Sequence, residues 1–394
     1  NVTSIFVEMF VFCGKRCLKT FLWKNPKKGT KGVFFMPLIS LCMIVRDEAE
    51  VLGRCLQSVA DLVDEIIIAD TGSVDETKAI AAQFEAKIYD FPWCDDFSAA
   101  RNFTVQQAVG DYWMWLDADD VIEGENRARL KQILQNPDAD LVYLPYVLSF
   151  DSAGKPDLIS KRERIFRRSK GYRFEGAVHE AVVPHGVIRM GDAAVFHRKE
   201  KAGDPDRNLR IYQQKRLKGE RFSPREQYYY GRELIDHGAD TAALSVLEHF
   251  LQEGKGWEPD CIGACLLCAK VYEKRNQVEQ ALQSLLRALS YGVPTPEICC
   301  EIGACFMKQE QWKTAAFWYQ TALREGAHPF EGFRNQACCD YIPAMQLCVC
   351  YDRMGDISAA AAYNALAGSV RPQDRAVEQN RQYFASKGIM TEAK

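Results

Sequence analysis

Residues 112–120 read YWMWLDADD: five large apolar or aromatic side chains run straight into three acids. The aromatic part follows the turn signal Gly110-Asp111 and predicts a buried strand. In an extended chain, residues i and i+2 face the same side. Asp117 and Asp119 would then leave the edge of a core together, where their like charges repel unless a cation lies between them. A hard divalent ion with positions open to phosphate oxygens answers that need. The plainer alternative is a solvated acidic turn, or a helix N-cap formed by Asp119 or Asp120 ahead of Val121-Ile122. His179-Glu180, inside GYRFEGAVHEAV, is a second place where a proton could be moved. Its alternative is a structural pair capping the next strand.

Such groups need a frame. Leu38 to Val45 is a continuous apolar run, as expected of a strand buried on both faces. Glu48 to Val59 carries apolar residues at helical spacing, and Ile66 to Ala69 is a second buried strand ending in Asp70-Thr71-Gly72-Ser73. Asp75-Glu76 opens a helix through Phe84. Lys87 to Phe91 is a third strand, Phe97 to Val109 is helical, and Tyr112 to Leu116 is a fourth strand. Later in the chain, Leu141 to Phe150 is another apolar run, crossing below the site, and Arg162 to Phe166 is a basic strand. Strands alternating with helices at this rhythm predict a parallel sheet covered on both faces. Ligands of such sheets bind beyond the carboxyl ends of the strands, and Asp47, Asp70, Asp117 and Asp119 all lie there. Neither a Gly-x-Gly-x-x-Gly nor a P-loop pattern is present, which removes support from dinucleotide and P-loop readings.

Composition narrows the class. The 394 residues are enough for two or three domains. With 47% hydrophobic and 26% charged residues, the chain reads as soluble and globular. A net charge of -3 gives no argument for nucleic acid. No apolar run is long enough to span a bilayer. Ten of the 15 cysteines fall between Cys261 and Cys350, at helix-like spacing among small residues. They read as buried thiols of a reducing compartment, hence a cytoplasmic protein, with the inner face of the membrane left open. Cys265-x-x-Cys268 lacks the second pair that a structural zinc site requires. Residues 1–36, apolar and then Lys-rich, read as an extension that is not native, with Met36 as the start. The alternative is a peripheral membrane or partner helix built on Phe6, Met9, Phe10 and Cys13.

The segments SLCMIVRDEAEVLGRCLQSV, DEIIIADTGSVDET, DDFSAARNFT and WMWLDADD together resemble family 2 glycosyltransferases of the GT-A (Rossmann-like) fold. The likeness extends to the bacterial branch whose GT-A domain carries C-terminal helical repeats, as in peptide glycosyltransferases. It covers roughly Leu38 to Lys199. The resemblance implies a UDP-sugar donor, UDP-glucose or UDP-N-acetylglucosamine, and a peptide or protein acceptor at Ser, Thr or Cys. It implies that the backbone of Val45 and Arg46 borders the base and that Asp70 accepts from the uracil imide. Thr71 stands where the family more often has a second Asp. Arg101 and Asn102 match the family's A-R-N, and a guanidinium there can pair with the diphosphate. Asp117 and Asp119 match the DXD motif that places Mn²⁺ or Mg²⁺ on the diphosphate, and His197 matches a histidine that completes the metal site. Glu180 is implied as the catalytic base, with His179 as helper or runner-up, in a single displacement that inverts configuration.

Beyond Gly203-Asp204-Pro205-Asp206 the sequence is helical and repetitive. Residues 203–220 read as a linker or connecting helix between the GT-A domain at 37–202 and repeats at 221–394. Tyr272 and Phe306, Ala281 and Ala315, and Ala288 and Ala322 each recur after one repeat length and resemble tetratricopeptide repeats. Small residues fall at Gly231, Ala269, Gly303 and Cys348, and bulky ones at Leu234, Tyr272, Phe306 and Tyr351. Ala243, Ala281, Ala315 and Ala360 complete the template. Stacks of this kind offer surfaces for an acceptor peptide or for a homodimer. Other readings stay open. The acceptor could be a cell-surface saccharide or lipid carrier, and the chain could be a repeat scaffold with a decayed transferase domain. Trp113 to Val121 also fits the first motif of haloacid-dehalogenase phosphatases, though Gly191-Asp192 does not continue as that fold requires.

Overall fold

The structure, a computed structural model, describes residues 7–13, 16–24, 31–151, 154–200, 203–328 and 333–389. The chain divides into two units, Asn1–Tyr146 with Arg162–Ala202 and Val147–Lys161 with Gly203–Lys394. They form an α/β unit of GT-A type followed by a helical unit, as expected. The first unit starts with β1 (Val7–Cys13), β2 (Arg16–Lys24) and β3 (Lys31–Phe35), which pair antiparallel in a sheet of their own. Val7–Cys13 is therefore strand, not the helix offered as an alternative for Met9, Phe10 and Cys13; Phe6 lies outside the described residues.

The main sheet is built from β4 (Ile39–Val45), β5 (Glu65–Asp70), β6 (Lys87–Asp90) and β7 (Tyr112–Trp115), parallel and ordered β6-β5-β4-β7. Between them come α1 (Leu52–Val59), α2 (Thr77–Ala82) and α3 (Phe97–Gln107). The runs of Ile, Leu and Met in β4 and β5 are buried on both faces, which is why they do not alternate. Gly110 sits where β4 and β7 converge. A Cβ there would lie 2.6 Å from Ser40 Oγ and 2.8 Å from the Leu38 carbonyl, so only glycine fits.

Past β7 the sheet becomes mixed, with antiparallel and parallel pairs. The chain continues through β8 (Asp120–Val121), α4 (Glu125–Gln135), β9 (Leu141–Phe150) and β10 (Pro156–Arg167). Then come the short strands β11 (Phe174–Glu175), β12 (Ala181–Val182), β13 (Ile188–Met190) and β14 (Val195–His197). β10 pairs antiparallel with β7, and the order runs on as β10-β9-β14-β8. Aromatic packing fastens this half: Trp113 stacks on Phe166 with ring centroids 4.0 Å apart. Direction in a sheet depends on which strands become neighbours. The periodicity of a single strand does not record that.

The second unit carries α5 (Arg207–Leu217) and then paired helices. The pairs are α6 (Pro224–Asp236) with α7 (Asp240–Glu253), α8 (Glu258–Lys274) with α9 (Val278–Ala288), and α10 (Pro296–Lys308) with α11 (Trp312–Gly326). β15 (Phe333–Asn335) follows and pairs with Leu158–Ser160 of β10. The fourth pair is α12 (Tyr341–Arg353) with α13 (Ile357–Val370), and α14 (Arg375–Ser386) closes the unit. Ser223 and Glu226 form a capping box at α6. Ala243, Ala281, Ala315 and Ala360 are fully buried, and Cys261, Cys265 and Cys268 are buried free thiols. Small residues let the paired helices approach. A Cβ at Gly303 would lie 2.8 Å from the buried Tyr319 ring. Gly303→Ala should therefore cost roughly 1–3 kcal/mol of overpacking strain. Urea unfolding measures it, and an unchanged midpoint would refute this account of the helix contact. Among the described residues no helix is long and apolar enough to cross a membrane.

Candidate active site

β4 and β5 run in register to Val45↔Asp70, so their carboxyl ends finish side by side. The loops beyond them lock together. The Val45 carbonyl accepts from Thr71 N at 2.9 Å and from Thr71 Oγ1 at 3.1 Å. Thr71 thus fixes the loop through Val45. Asp47, in the left-handed region at φ 54, receives Val74 N on Oδ1, and its own N–H donates to Ser73 Oγ. Arg46 is exposed beside it. Asp70 is buried; its Oδ1 accepts from Gly72 N at 3.0 Å and Ser73 N at 2.9 Å. Burial alone would raise this carboxyl, but the hydrogen bonds from Ser73 and Gly72, with Lys78 nearby, hold it below the usual carboxylate value. Asp70 Oδ2 is buried with no hydrogen-bond partner among the described residues. Such an orphan acceptor costs roughly 1–3 kcal/mol until a donor reaches it. A ring N–H is a donor of the right kind.

A second cluster forms across the sheet. β14 pairs antiparallel with β8, matching Phe196↔Val121 and His197↔Asp120. Arg198 N donates to the Asp119 carbonyl at 2.9 Å. His197 Nδ1 then lies 3.3 Å from Asp119 Oδ1, 3.7 Å from Asp120 Oδ1 and 3.0 Å from Tyr146 Oη. One ligand atom from each of Asp119, Asp120 and His197 falls within 4.8 Å of the others. The carboxylates of Asp119 and then Asp120 push the imidazole up to about 10, against the effect of burial. Asp120 Oδ2 accepts from Arg164 at 2.9 Å and from Asp117 N at 3.0 Å, while its Oδ1 is buried without a hydrogen-bond partner among the described residues. Two carboxylates and one imidazole, with one oxygen left unsatisfied, fit a hard divalent cation such as Mn²⁺ or Mg²⁺.

The structure does not bring the Asp117 carboxylate into this group. The sequence reading placed Asp117 and Asp119 side by side on an extended chain. Instead Ala118 and Asp119 form a turn closed by Asp120 N on the Asp117 carbonyl, 3.1 Å. The i, i+2 rule does not survive that turn. Asp117 faces Arg101, and Asp120, the third acid of DADD, joins Asp119.

Arg101 forms the third cluster. It rides on α3, whose N-terminus is capped by Asp96. Its Nη2 is 2.7 Å from Asp117 Oδ1 and its Nε 2.5 Å from Glu180 Oε1. The guanidinium lies 4.4 Å from the centre of the Trp115 ring, and Nη1 is buried without a hydrogen-bond partner among the described residues. Burial would raise the Asp117 carboxyl, but Arg101 and Arg164 outweigh it and hold the group well below the carboxylate range. Glu180 is buried at the end of a loop whose Gly176 and His179 have φ values of 98 and 53. A positive φ at His179 is uncommon and costs energy. Phe97 N, at the start of α3, donates to the Ala177 carbonyl at 2.9 Å and ties this loop to the helix that carries Arg101.

Asn102 does something other than face a ligand. Its Nδ2 donates to the Phe174 carbonyl and its Oδ1 accepts from Phe174 N, both at 2.9 Å. The side chain thus acts as a strand mimic that positions β11. Asn102→Ala should cost roughly 1–3 kcal/mol, because the Phe174 backbone groups lose their partners. Chemical denaturation reads this directly; a variant as stable as the parent would contradict it.

The family model described as Glycosyl transferase family 2 matches residues 40–199. A TPR repeat-containing protein of Synechococcus elongatus is 32% identical over 297 residues, covering 74% of this chain and 67% of that protein. The SPbeta prophage-derived glycosyltransferase SunS of Bacillus subtilis is 26% identical over 267 residues, 62% of this chain and 61% of SunS. An uncharacterized glycosyltransferase of Rickettsia felis is 33% identical over 111 residues, 28% of this chain and 38% of that protein. The chain therefore spans about three fifths of SunS and less than half of the rickettsial protein. A crystal structure of MamA aligns with a TM-score of 0.33 and 17% identity, over 40% of this chain and 84% of that one.

Proposed function

This chain belongs to glycosyl transferase family 2, and on that premise we propose that it moves a sugar from a UDP-sugar to a peptide or protein side chain, with a divalent cation and with inversion. The observation that carries the donor side is the Asp119, Asp120 and His197 group with its unsatisfied Asp120 oxygen. A Mn²⁺ or Mg²⁺ held there supplies positive charge against the departing diphosphate. The chain's own residues do the rest. Asp70 Oδ2 offers an acceptor for the uracil imide, with Arg46 at the rim. Arg101, fixed between Asp117 and Glu180, presents a buried guanidinium to the diphosphate side. Glu180 takes the proton from the acceptor hydroxyl or thiol as the bond to the anomeric carbon forms and the bond to the UDP oxygen breaks. His179 stands beside it in the same loop. Helical repeats provide extended surfaces suited to a peptide acceptor, and donor preference falls on UDP-glucose or UDP-N-acetylglucosamine.

UDP release tests this reading. Purified protein is offered UDP-glucose, UDP-N-acetylglucosamine and UDP-galactose, with and without Mn²⁺. Metal-dependent release from one of them supports the reading and names the donor; labelled donor then finds the acceptor. The absence of both release and binding with every UDP-sugar would sink the donor assignment.

A further inference from the structure

Arg164 is a basic residue inside a strand, completely buried, and the sequence reading gave it no task. β10 pairs with β7 so that Ile165 lies opposite Met114, which sets Arg164 beside Trp115. Its Nη1 reaches Asp120 Oδ2 at 2.9 Å and the Trp115 carbonyl at 3.2 Å. The guanidinium carbon lies 4.0 Å from the centre of the Trp115 ring and 4.6 Å from that of Tyr146. Its Nε and Nη2 are buried without hydrogen-bond partners among the described residues. Asp120 is as deeply buried as the arginine.

Stability does not explain this arrangement. A buried ion pair contributes little net stability, because desolvation of both charges offsets their attraction. Two nitrogens whose N–H groups lack acceptors make the balance worse. What the pair does achieve is orientation. Arg164 and the Asp117 N–H both hold Asp120 Oδ2, so the other oxygen is turned toward His197 Nδ1 and Asp119. Tyr146 contributes from the same side: its ring lies against Arg164 and its hydroxyl meets His197 Nδ1 at 3.0 Å.

We infer that Arg164 is a positioning residue of the cation site: it fixes Asp120 so that Oδ1 points at the ion. The inference rests on reading Asp119, Asp120 and His197 as a cation site. It has a distinctive sign. Arg164 is itself a cation, so by charge alone its removal would tighten divalent-ion binding. Positioning demands the reverse, a loss of affinity. Lysine keeps the charge but lacks the flat fork that lies against Trp115 and Tyr146.

The experiment titrates the full chain with Mn²⁺ and follows the free-ion signal by electron paramagnetic resonance, alongside thermal unfolding. The proteins are the parent, Arg164→Lys and Arg164→Met. Partners behind a metal ligand are typically worth about 10–100-fold in metal affinity, and that loss is expected for both variants. A purely structural role would lower the melting temperature and leave the affinity of the folded variant unchanged. Binding as tight as the parent, or tighter, in the lysine variant overturns the inference while the cation site stands. Should Arg164→Met not fold, the lysine variant decides alone. A parent that takes up no Mn²⁺ overturns the site and the inference together.

Discussion

Asp119→Ala is expected to lower the rate of metal-dependent UDP release by roughly a hundredfold to a thousandfold, the scale for losing one preorganised group that stabilises developing charge. The fold should survive. The Asp119 side chain is partly exposed, and the bond from Arg198 N goes to its backbone carbonyl, which alanine keeps. Alanine loses the contact with His197 Nδ1 at 3.3 Å, a partly exposed pair worth about 1 kcal/mol or less. Loss of activity in a variant that remains folded would therefore locate the defect in the site. The remaining His197 and Asp120 should still show weak Mn²⁺ stimulation at high metal concentration. A variant that turns over at the parent's rate would remove Asp119 from the metal site and leave no carboxylate there except the buried Asp120.

Glu180→Gln is the second large effect. Glutamine keeps the shape, and its carbonyl oxygen can still accept from Arg101 Nε, now 2.5 Å from Glu180 Oε1. It cannot take a proton. If Glu180 is the base, kcat for transfer falls by about 10² to 10⁴. The donor KM stays close to the parent's. The pairing with Arg101 makes the experiment decisive, because Glu180 could instead serve only to hold that guanidinium. Holding alone predicts a small loss in Glu180→Gln. That result would move the base to His179, and His179→Asn would then carry the large loss. The quantity to compare is the kcat of each variant.

The two effects depend on side chains that reach the site by different routes. Asp119 follows directly from a strand the sequence announces, since Tyr112 to Leu116 is apolar and the acids begin where it ends. Glu180 sits in a loop set by Gly176, by the positive φ of His179 and by the Phe97 N–H on Ala177. Nothing in the local pattern of GAVHE states that its carboxylate meets a guanidinium carried by α3.

By itself the sequence determined the parallel half of the sheet, the helices between its strands, the acids at the strands' carboxyl ends and the paired helices of the second unit. These are local properties: an apolar run, a helical spacing or a recurring alanine acts within a few residues, so periodicity records it. The tertiary structure alone decided which acids share a site. The turn at Ala118-Asp119 sent Asp117 to Arg101 and brought Asp120 to Asp119. The β8–β14 pairing brought His197 to both, and the β7–β10 register set Arg164 beneath Asp120. Each of these depends on strand neighbours distant in the chain, and on buried charges whose partners lie on other elements. A charged residue in a strand shows in the sequence only that it must find a partner, and the packing of the sheet chooses which one.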